Sequence, residues 1–178
     1  MSRNTTVYID IDDTIFAQVL PGSIFDLRPC VITHLSVLGR LFDCCWLTSW
    51  PNLPGPGPGI EMCVQTLMRS FYGHRVNETF RYADWDRDHE DGKAAFVLRS
   101  DQPADWYWIE DLLPKGELDA LSAAGKLDRY LPVEPQGPWG FLDAVNELFR
   151  HTRVTADDLR NVGARPEWFD RSAFASLC

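Results

Sequence analysis

A short apolar run near the start of the chain, Val7-Tyr8-Ile9, passes directly into Asp10-Ile11-Asp12-Asp13-Thr14. Carboxylates at the end of a buried strand are costly to desolvate, so they usually bind a cation, have a shifted pKa or take part in chemistry. Because residues two apart in a strand share a face, Asp10 and Asp12 are expected to converge on one point. Such a pair suits a divalent cation, an acid/base role, or both. A turn with exposed acids and no ligand is the alternative that this segment alone leaves open.

Three later segments place further reactive side chains at the ends of predicted elements. The apolar run Leu41–Leu47 is followed by Thr48 and Ser49, Lys93 stands at the start of the helix-like run Gly92–Leu98, and the aromatic run Trp106–Ile109 is followed by Glu110 and Asp111. Each segment alone is uninformative, because strand ends with hydroxyls and surface lysines are common. Open α/β sheets, however, bind ligands outside the carboxyl ends of their strands. The acids and Thr48 are therefore expected to meet at one rim of a sheet.

In this order the four segments resemble the four motifs of the haloacid-dehalogenase (HAD) superfamily of phosphotransferases, over a stretch from about Val7 to Phe149. The resemblance implies that Asp10 is a nucleophile, that Asp12 is a general acid/base, and that Thr48 and Lys93 bind the phosphoryl group. It also implies a Mg²⁺ site made by Asp10, Asp12 through its main-chain carbonyl, and the Glu110/Asp111 pair. Glu110 departs from the Asp-Asp of most relatives, and which of the pair is the direct ligand stays open.

The order of predicted elements along the chain alternates strands and helices, which is typical of a parallel sheet with crossover helices. The resemblance implies an α/β fold, a three-layer Rossmann-like core around a central parallel sheet. We expect a single domain over residues 1–178, with a core of about 5–150 and a C-terminal extension over 151–178. In that extension Trp168, Phe169 and Phe174 are expected to dock on the same domain, or else to form a contact surface.

The predicted elements around these motifs are as follows. Before the second motif we expect a loop or hairpin over Phe16–Asp26 and a first helix from Asp26 or Leu27, with Pro29 in its first turn. Between the second and third motifs we expect a loop over Trp50–Gly59, a helix over Ile60–Phe71 and a strand around Val76–Tyr82. The later elements are helices over Gly92–Arg99 and Leu118–Ala124, a strand over Tyr130–Val133, a helix from Gly140 and a helix N-cap at Thr155.

The spacing of the motifs leaves no room for a large cap domain. Asp10 and Thr48 are 38 positions apart, and the first helix fills much of that gap; Thr48 and Lys93 are 45 positions apart, and elements of the core itself fill the second. Relatives without a cap act on large substrates such as protein or nucleic-acid ends. Alternatively, the Pro- and Gly-rich loop after Thr48 covers a small metabolite.

Thr48, Ser49, Trp50 and Lys93 are the expected substrate-binding residues. The segments Trp46–Trp50, Trp108–Asp111 and Pro132–Pro135, with Gly140-Phe141 after them, resemble a group of small bacterial HAD domains, some of them linked to RNA-repair proteins. Trp50 is placed to stack on a base, and it suits a core position equally.

Composition limits the partners. The net charge of −9 argues against broad attraction to nucleic acid or to an anionic membrane, although part of it belongs to the expected metal site. The chain contains no apolar stretch of about 18 residues and starts without a signal-peptide pattern, so we expect a cytoplasmic location. Five cysteines without a Cys-x-x-Cys pair, two of them in the strand before Thr48, indicate core residues in a reducing compartment.

The expected function is a Mg²⁺-dependent phosphohydrolase that cleaves a phosphomonoester through an aspartyl-phosphate. The substrate is a phosphorylated small molecule or a nucleic-acid or protein end. Two alternatives stay open: an RNA-repair-type phosphatase that processes nucleic-acid ends, and a non-catalytic HAD-like binding or regulatory module. A haloalkanoate dehalogenase is disfavoured, because Asp12 and the acids of the fourth motif are what phosphate-ester hydrolysis requires.

Overall fold

The computed structural model describes residues 4–17, 26–49, 80–99 and 101–174. In chain order its strands are β1 (Thr6–Ile9), β2 (Phe16–Ala17), β3 (Asp26–Leu27), β4 (Asp43–Trp46), β5 (Arg81–Tyr82), β6 (Trp106–Glu110) and β7 (Tyr130–Pro132). Five of them form one sheet in the order β5-β4-β1-β6-β7, and every neighbouring pair in it is parallel. The expected central parallel sheet is therefore confirmed.

Helices cover both faces of this sheet. They are α1 (Val31–Leu41), α2 (Gly92–Val97), α3 (Lys115–Ala123), α4 (Gly140–Thr152), α5 (Ala156–Asn161) and α6 (Arg171–Phe174), with 3-10 helices over Leu127–Arg129 and Pro166–Phe169. Alternate residues of β1 point to opposite faces: Val7 and Ile9 pack in the cluster that contains α1 and α4, while Tyr8 packs in the cluster that contains α2 and α3. The three-layer Rossmann-like arrangement is thus also confirmed.

The larger apolar cluster lies between the sheet and helices α1 and α4. Helix α1 contributes Val31, Leu35 and Leu38, which recur on one side of the helix and are essentially inaccessible to solvent. Burying one such side chain contributes about 1.5–3 kcal/mol relative to leaving it exposed. The 3-10 helix Pro166–Phe169 adds Phe169 to the same cluster. Docking of Phe169 on the core, as expected from the sequence, is therefore confirmed.

The order in which the chain adds strands to the sheet reverses at the central strand β1. From β1 the chain continues to β4 on one side, and it later returns to β6 on the other side of β1. Such a reversal of strand order opens a crevice at the carboxyl ends of the two strands that flank it. The ends of β1 and β6, where Asp10 and Glu110 lie, are therefore the place where a ligand is expected in a sheet of this kind.

The start of the first helix was predicted wrongly. Asp26 and Leu27 form β3, which pairs antiparallel with β2 through Phe16↔Leu27 and Ala17↔Asp26, and α1 begins only at Val31. Cys30 adopts a left-handed φ of 59°, so the helical backbone cannot extend back across it to Pro29. The pairing of β2 with β3 agrees with the hairpin expected over Phe16–Asp26.

The remaining elements differ from prediction mainly at their ends. Helix α2 stops at Val97, α3 begins three residues before the predicted Leu118, and the strand expected around Val76–Tyr82 is realised as β5 in its described part. Thr155 caps α5 with a reciprocal capping box to Asp158, as expected. The loop expected over Trp50–Gly59 and the helix expected over Ile60–Phe71 lie outside the described residues.

No separate cap domain occurs among the described residues, in agreement with the spacing of the motifs. Within those same residues, no helix is long and apolar enough to cross a membrane. Cys44 and Cys45 are buried in β4, as expected for core residues.

Candidate functional site

Asp10 and Glu110 lie side by side at the ends of β1 and β6. The two strands pair in register through Ile9↔Ile109, and the amide of Asp10 donates to the carbonyl of Ile109 at 3.0 Å. By the alternation of strand side chains, Asp10 shares the face of Tyr8 and Glu110 shares the face of Trp108. That face is covered by α2 and α3, so both carboxylates point toward these helices.

Three carboxylates form a cluster at this point. One oxygen each of Asp10, Glu110 and Asp111 lies within 4.8 Å of the others, and Asp10 and Glu110 are buried whereas Asp111 is half-buried. A set of carboxylate oxygens without thiolate or imidazole is the donor chemistry of a hard divalent cation. These three residues fit such an ion, and all three were predicted as metal ligands.

The Asp12 carboxylate, expected from strand alternation to converge with that of Asp10, is not a member of this cluster. Strand β1 ends at Ile9, and the following residues turn: the amide of Thr14 donates to the carbonyl of Asp12, and Asp13 has a left-handed φ of 49°. The alternation that would have put Asp10 and Asp12 on one face therefore does not extend to Asp12. Its main-chain carbonyl, the atom that the resemblance assigns to the metal, lies in this turn.

Lys93 reaches the cluster from α2. Its Nζ donates to Asp10 Oδ1 at 2.8 Å and to Glu110 Oε2 at 2.6 Å, and the side chain is buried. Burial disfavours the ammonium, but the carboxylates of Glu110 and Asp10 outweigh it and raise the pKa of Lys93. One ammonium cannot neutralise three carboxylates, so the negative charge of the cluster favours a further cation.

Glu110 is held on two sides. Its Oε2 accepts the hydrogen bond from Lys93 and another, at 3.1 Å, from the indole Nε1 of Trp108. Burial and the neighbouring Asp10 carboxylate raise the pKa of Glu110 well above its usual value, with Lys93 opposing them. The pKa of Asp111 is also raised, by burial and then by Asp10. Additional positive charge at this cluster would relieve that repulsion.

The end of β4 carries the predicted hydroxyls. Thr48 is buried two residues beyond this strand, at the same sheet edge as Asp10, and Ser49 is exposed. The carbonyl of Thr48 accepts a 3.0 Å hydrogen bond from Trp85 Nε1, which anchors the segment. Trp50, predicted to bind substrate, lies outside the described residues.

Arg28 is a residue that sequence reasoning missed. Its guanidinium is buried and donates to the carbonyls of Asp13 (2.6 Å), Pro135 (3.2 Å) and Gly137. It thereby joins the turn after β1 to the loop before α4. Burial lowers the pKa of Arg28, while Asp13, Asp111 and Glu134 oppose this shift. Nothing local in the sequence marks this role, because the carbonyls come from distant segments.

Glu117 and Trp108 were missed as well. Glu117, on α3, accepts a hydrogen bond from the backbone amide of Lys93. Trp108 stands two residues before Glu110, so strand alternation could have placed it on the same face; no such signal links Glu117 to α2.

The chain matches no protein-family model and no curated protein. The HAD resemblance therefore rests on the motifs alone, beside the geometry of Asp10, Lys93, Glu110 and Asp111.

Proposed function

We propose that this protein is a Mg²⁺-dependent phosphohydrolase that cleaves a phosphomonoester through an aspartyl-phosphate on Asp10. The observation that carries the proposal is the Lys93 ammonium between Asp10 and Glu110, with Asp111 beside them, at the crevice where the strand order reverses. Burying a lysine from a separate helix beside these acids is costly, and acids that only formed a turn would not require it.

Asp10 has the role of nucleophile. A bond forms between one of its carboxylate oxygens and phosphorus while the bond from phosphorus to the leaving oxygen breaks. Asp12 gives a proton to the leaving oxygen. When the aspartyl-phosphate is then hydrolysed, Asp12 takes a proton from the water that attacks phosphorus. This attack releases inorganic phosphate and restores the Asp10 carboxylate.

The other residues bind and orient the phosphoryl group. Lys93 holds Asp10 in place and offers positive charge to the phosphoryl oxygens, and Thr48 provides a hydroxyl at the neighbouring strand end. The Asp10, Glu110 and Asp111 carboxylates, with the carbonyl of Asp12, would hold Mg²⁺, which supplies Lewis-acid stabilisation of the charge on the phosphoryl oxygens.

Phosphate release from p-nitrophenyl phosphate tests this proposal. We expect turnover with Mg²⁺, loss of turnover in excess chelator, and recovery when Mg²⁺ is restored. Asp10→Asn is expected to abolish turnover without lowering the melting temperature by more than a few degrees. Full turnover in chelator, or near-normal activity of Asp10→Asn, would reject the mechanism.

The substrate class is decided by a second measurement. Nucleotides, sugar phosphates, phosphopeptides and oligonucleotides with a 5′- or 3′-phosphate are compared by kcat/KM with Mg²⁺ present. A preference for oligonucleotide ends favours the RNA-repair-type activity, whereas inactivity toward every class, including the aryl phosphate, favours the non-catalytic module.

A further inference from the structure

One carboxylate of helix α3 contacts the start of helix α2, which carries Lys93. Glu117 Oε1 accepts a 3.1 Å hydrogen bond from the backbone amide of Lys93, across 24 positions of sequence. Amides in the first turn of a helix have no partner within the helix, so an acceptor from outside fixes that turn. The Glu117 side chain is buried where it does so.

Gly92 makes this contact possible. A Cβ built on Gly92 would lie 2.2 Å from Glu117 Oε1, so the carboxylate occupies the space that any side chain at this position would need. Gly92 also has a φ of 50°, in the left-handed region that favours glycine. Two features of the sequence, a glycine before Lys93 and an acid on the next helix, are thus matched to one another.

Stability alone does not account for Glu117. Its Oε2 is buried and has no hydrogen-bond partner among the described residues, and a buried carboxylate that is only partly satisfied is unfavourable compared with an apolar side chain of similar size. The hydrogen bond that this buried carboxylate makes in the described part of the chain is to the backbone of Lys93, which indicates a requirement for the position of that lysine.

We propose that Glu117 and Gly92 act as a positioning pair for Lys93: the Glu117 carboxylate fixes the first turn of α2, so that the Lys93 ammonium lies between Asp10 and Glu110. The consequence for catalysis rests on the proposed function. The consequence for the position of Lys93 does not, and it can be measured separately.

Two substitutions at position 117 separate the hydrogen bond from packing. Glu117→Gln keeps an acceptor oxygen for the Lys93 amide, whereas Glu117→Met keeps the volume and removes the acceptor. With p-nitrophenyl phosphate and saturating Mg²⁺, E117M is expected to lower kcat by about 10-fold or more, with a smaller effect on KM, because small displacements of a positioned group cost up to about 10²-fold. E117Q is expected to stay within about threefold of the wild type.

Amine labelling reports on Lys93 without any need for activity. The chain has three lysines, Lys93, Lys115 and Lys126, and the Lys115 side chain is 89% exposed. After a brief pulse of acetic anhydride, peptide mass spectrometry gives the labelling of Lys93 relative to Lys115. We expect Lys93 to be protected in the wild type and in E117Q, and to label several-fold faster in E117M. Melting temperatures and the Lys126 labelling rate report any general unfolding.

Gly92→Ala provides an independent variant, because its methyl group displaces the Glu117 carboxylate. It is expected to reproduce the labelling and kcat of E117M, and the double variant G92A/E117M is expected to be no worse than the poorer single variant. Wild-type protection of Lys93 in a folded E117M protein overturns the inference, as does an unchanged kcat in an active enzyme. If the wild type shows no activity, the proposed function fails, and the labelling result still decides the position of Lys93.

Discussion

At the scale of single residues, Lys93 and the proposed divalent cation would compete for the same oxygens. The ammonium already contacts one oxygen of Asp10 and one of Glu110, and both residues belong to the three-carboxylate cluster. A cation bound there experiences attraction from the carboxylates and repulsion from the ammonium. In the proposed function the lysine would therefore weaken metal binding while it supports chemistry on the phosphoryl group.

Lys93→Met is expected to tighten Mg²⁺ binding several-fold and to lower kcat by about 10²-fold or more, because it removes both the repulsion and the proposed contact with the phosphoryl group. Isothermal titration with Mg²⁺ measures the first effect and aryl-phosphate turnover the second. Lys115→Met is the matched control: Lys115 is exposed and pairs only with Asp119 among the described residues, so both quantities should stay at wild-type values. Weaker Mg²⁺ binding in Lys93→Met would contradict the shared-oxygen picture.

At the scale of elements, Arg28 connects segments that the sheet itself does not connect. The turn after β1 carries Asp12, and the loop before α4 contains Pro135 and Gly137; the Arg28 guanidinium donates to carbonyls of both. Because carbonyls of both segments accept hydrogen bonds from this one side chain, replacing Arg28 removes the link between the two segments. The position of Asp12 thus depends on a residue outside the four motifs.

Arg28→Lys is expected to lower the free energy of unfolding by about 1.5–3 kcal/mol, since one ammonium cannot reach all three carbonyls and a hydrogen bond to a charged group contributes about that much. It should also lower kcat, because the turn with Asp12 loses its anchor. Urea unfolding and aryl-phosphate turnover measure these effects. Arg40→Lys serves as control, because exposed Arg40 donates to the carbonyl of Val162 alone in the described part of the chain, and it should change stability by less than about 1 kcal/mol.

Motifs at strand ends were the part of the site that the sequence could predict. Asp10, Glu110 and Asp111 were predicted from residue type and position, because parallel strands bring their carboxyl ends to one edge. Lys93 was predicted only through the resemblance to the third HAD motif. Glu117 and Arg28 were not, since their partners lie 15 to 109 positions away and depend on how helices and loops pack. The start of α1 was wrong for the same reason: pairing of Leu27 with Phe16 overrides a local helical pattern.

At the scale of the whole molecule, a buried histidine joins the C-terminal segment to the core. His34, on α1, lies among the rings of Phe141 and Phe169, and its Nε2 lies 3.1 Å from the carbonyl of Trp168. A carbonyl can only accept, so Nε2 carries a proton. Burial lowers the pKa of His34 to about 4, although the contact with the Trp168 carbonyl opposes this shift.

This histidine makes stability fall with acid. Between pH 6.5 and about 4 the unfolded chain binds a proton at His34 that the folded protein does not, so the free energy of unfolding decreases as the pH falls through this window, by about 3 kcal/mol in all. His34→Gln keeps a donor for the Trp168 carbonyl and does not titrate. Urea unfolding at pH 7 and pH 4.5 should show a smaller loss for His34→Gln than for the wild type. Equal losses in wild type and His34→Gln would contradict a neutral, buried His34.

The central place of β1 also has a consequence for synthesis on the ribosome. β1 is made early, but its neighbour β6 follows about 100 residues later, as the hydrogen bond from Thr5 to Asp105 at the start of both strands illustrates. At about 5–20 residues per second, β1 waits roughly 5–20 s with one edge unpaired. Strand β1 is thus the first part of the sheet to be translated and among the last to be completed, so the apolar run Val7–Ile9 has an edge open to pairing with other chains during that interval.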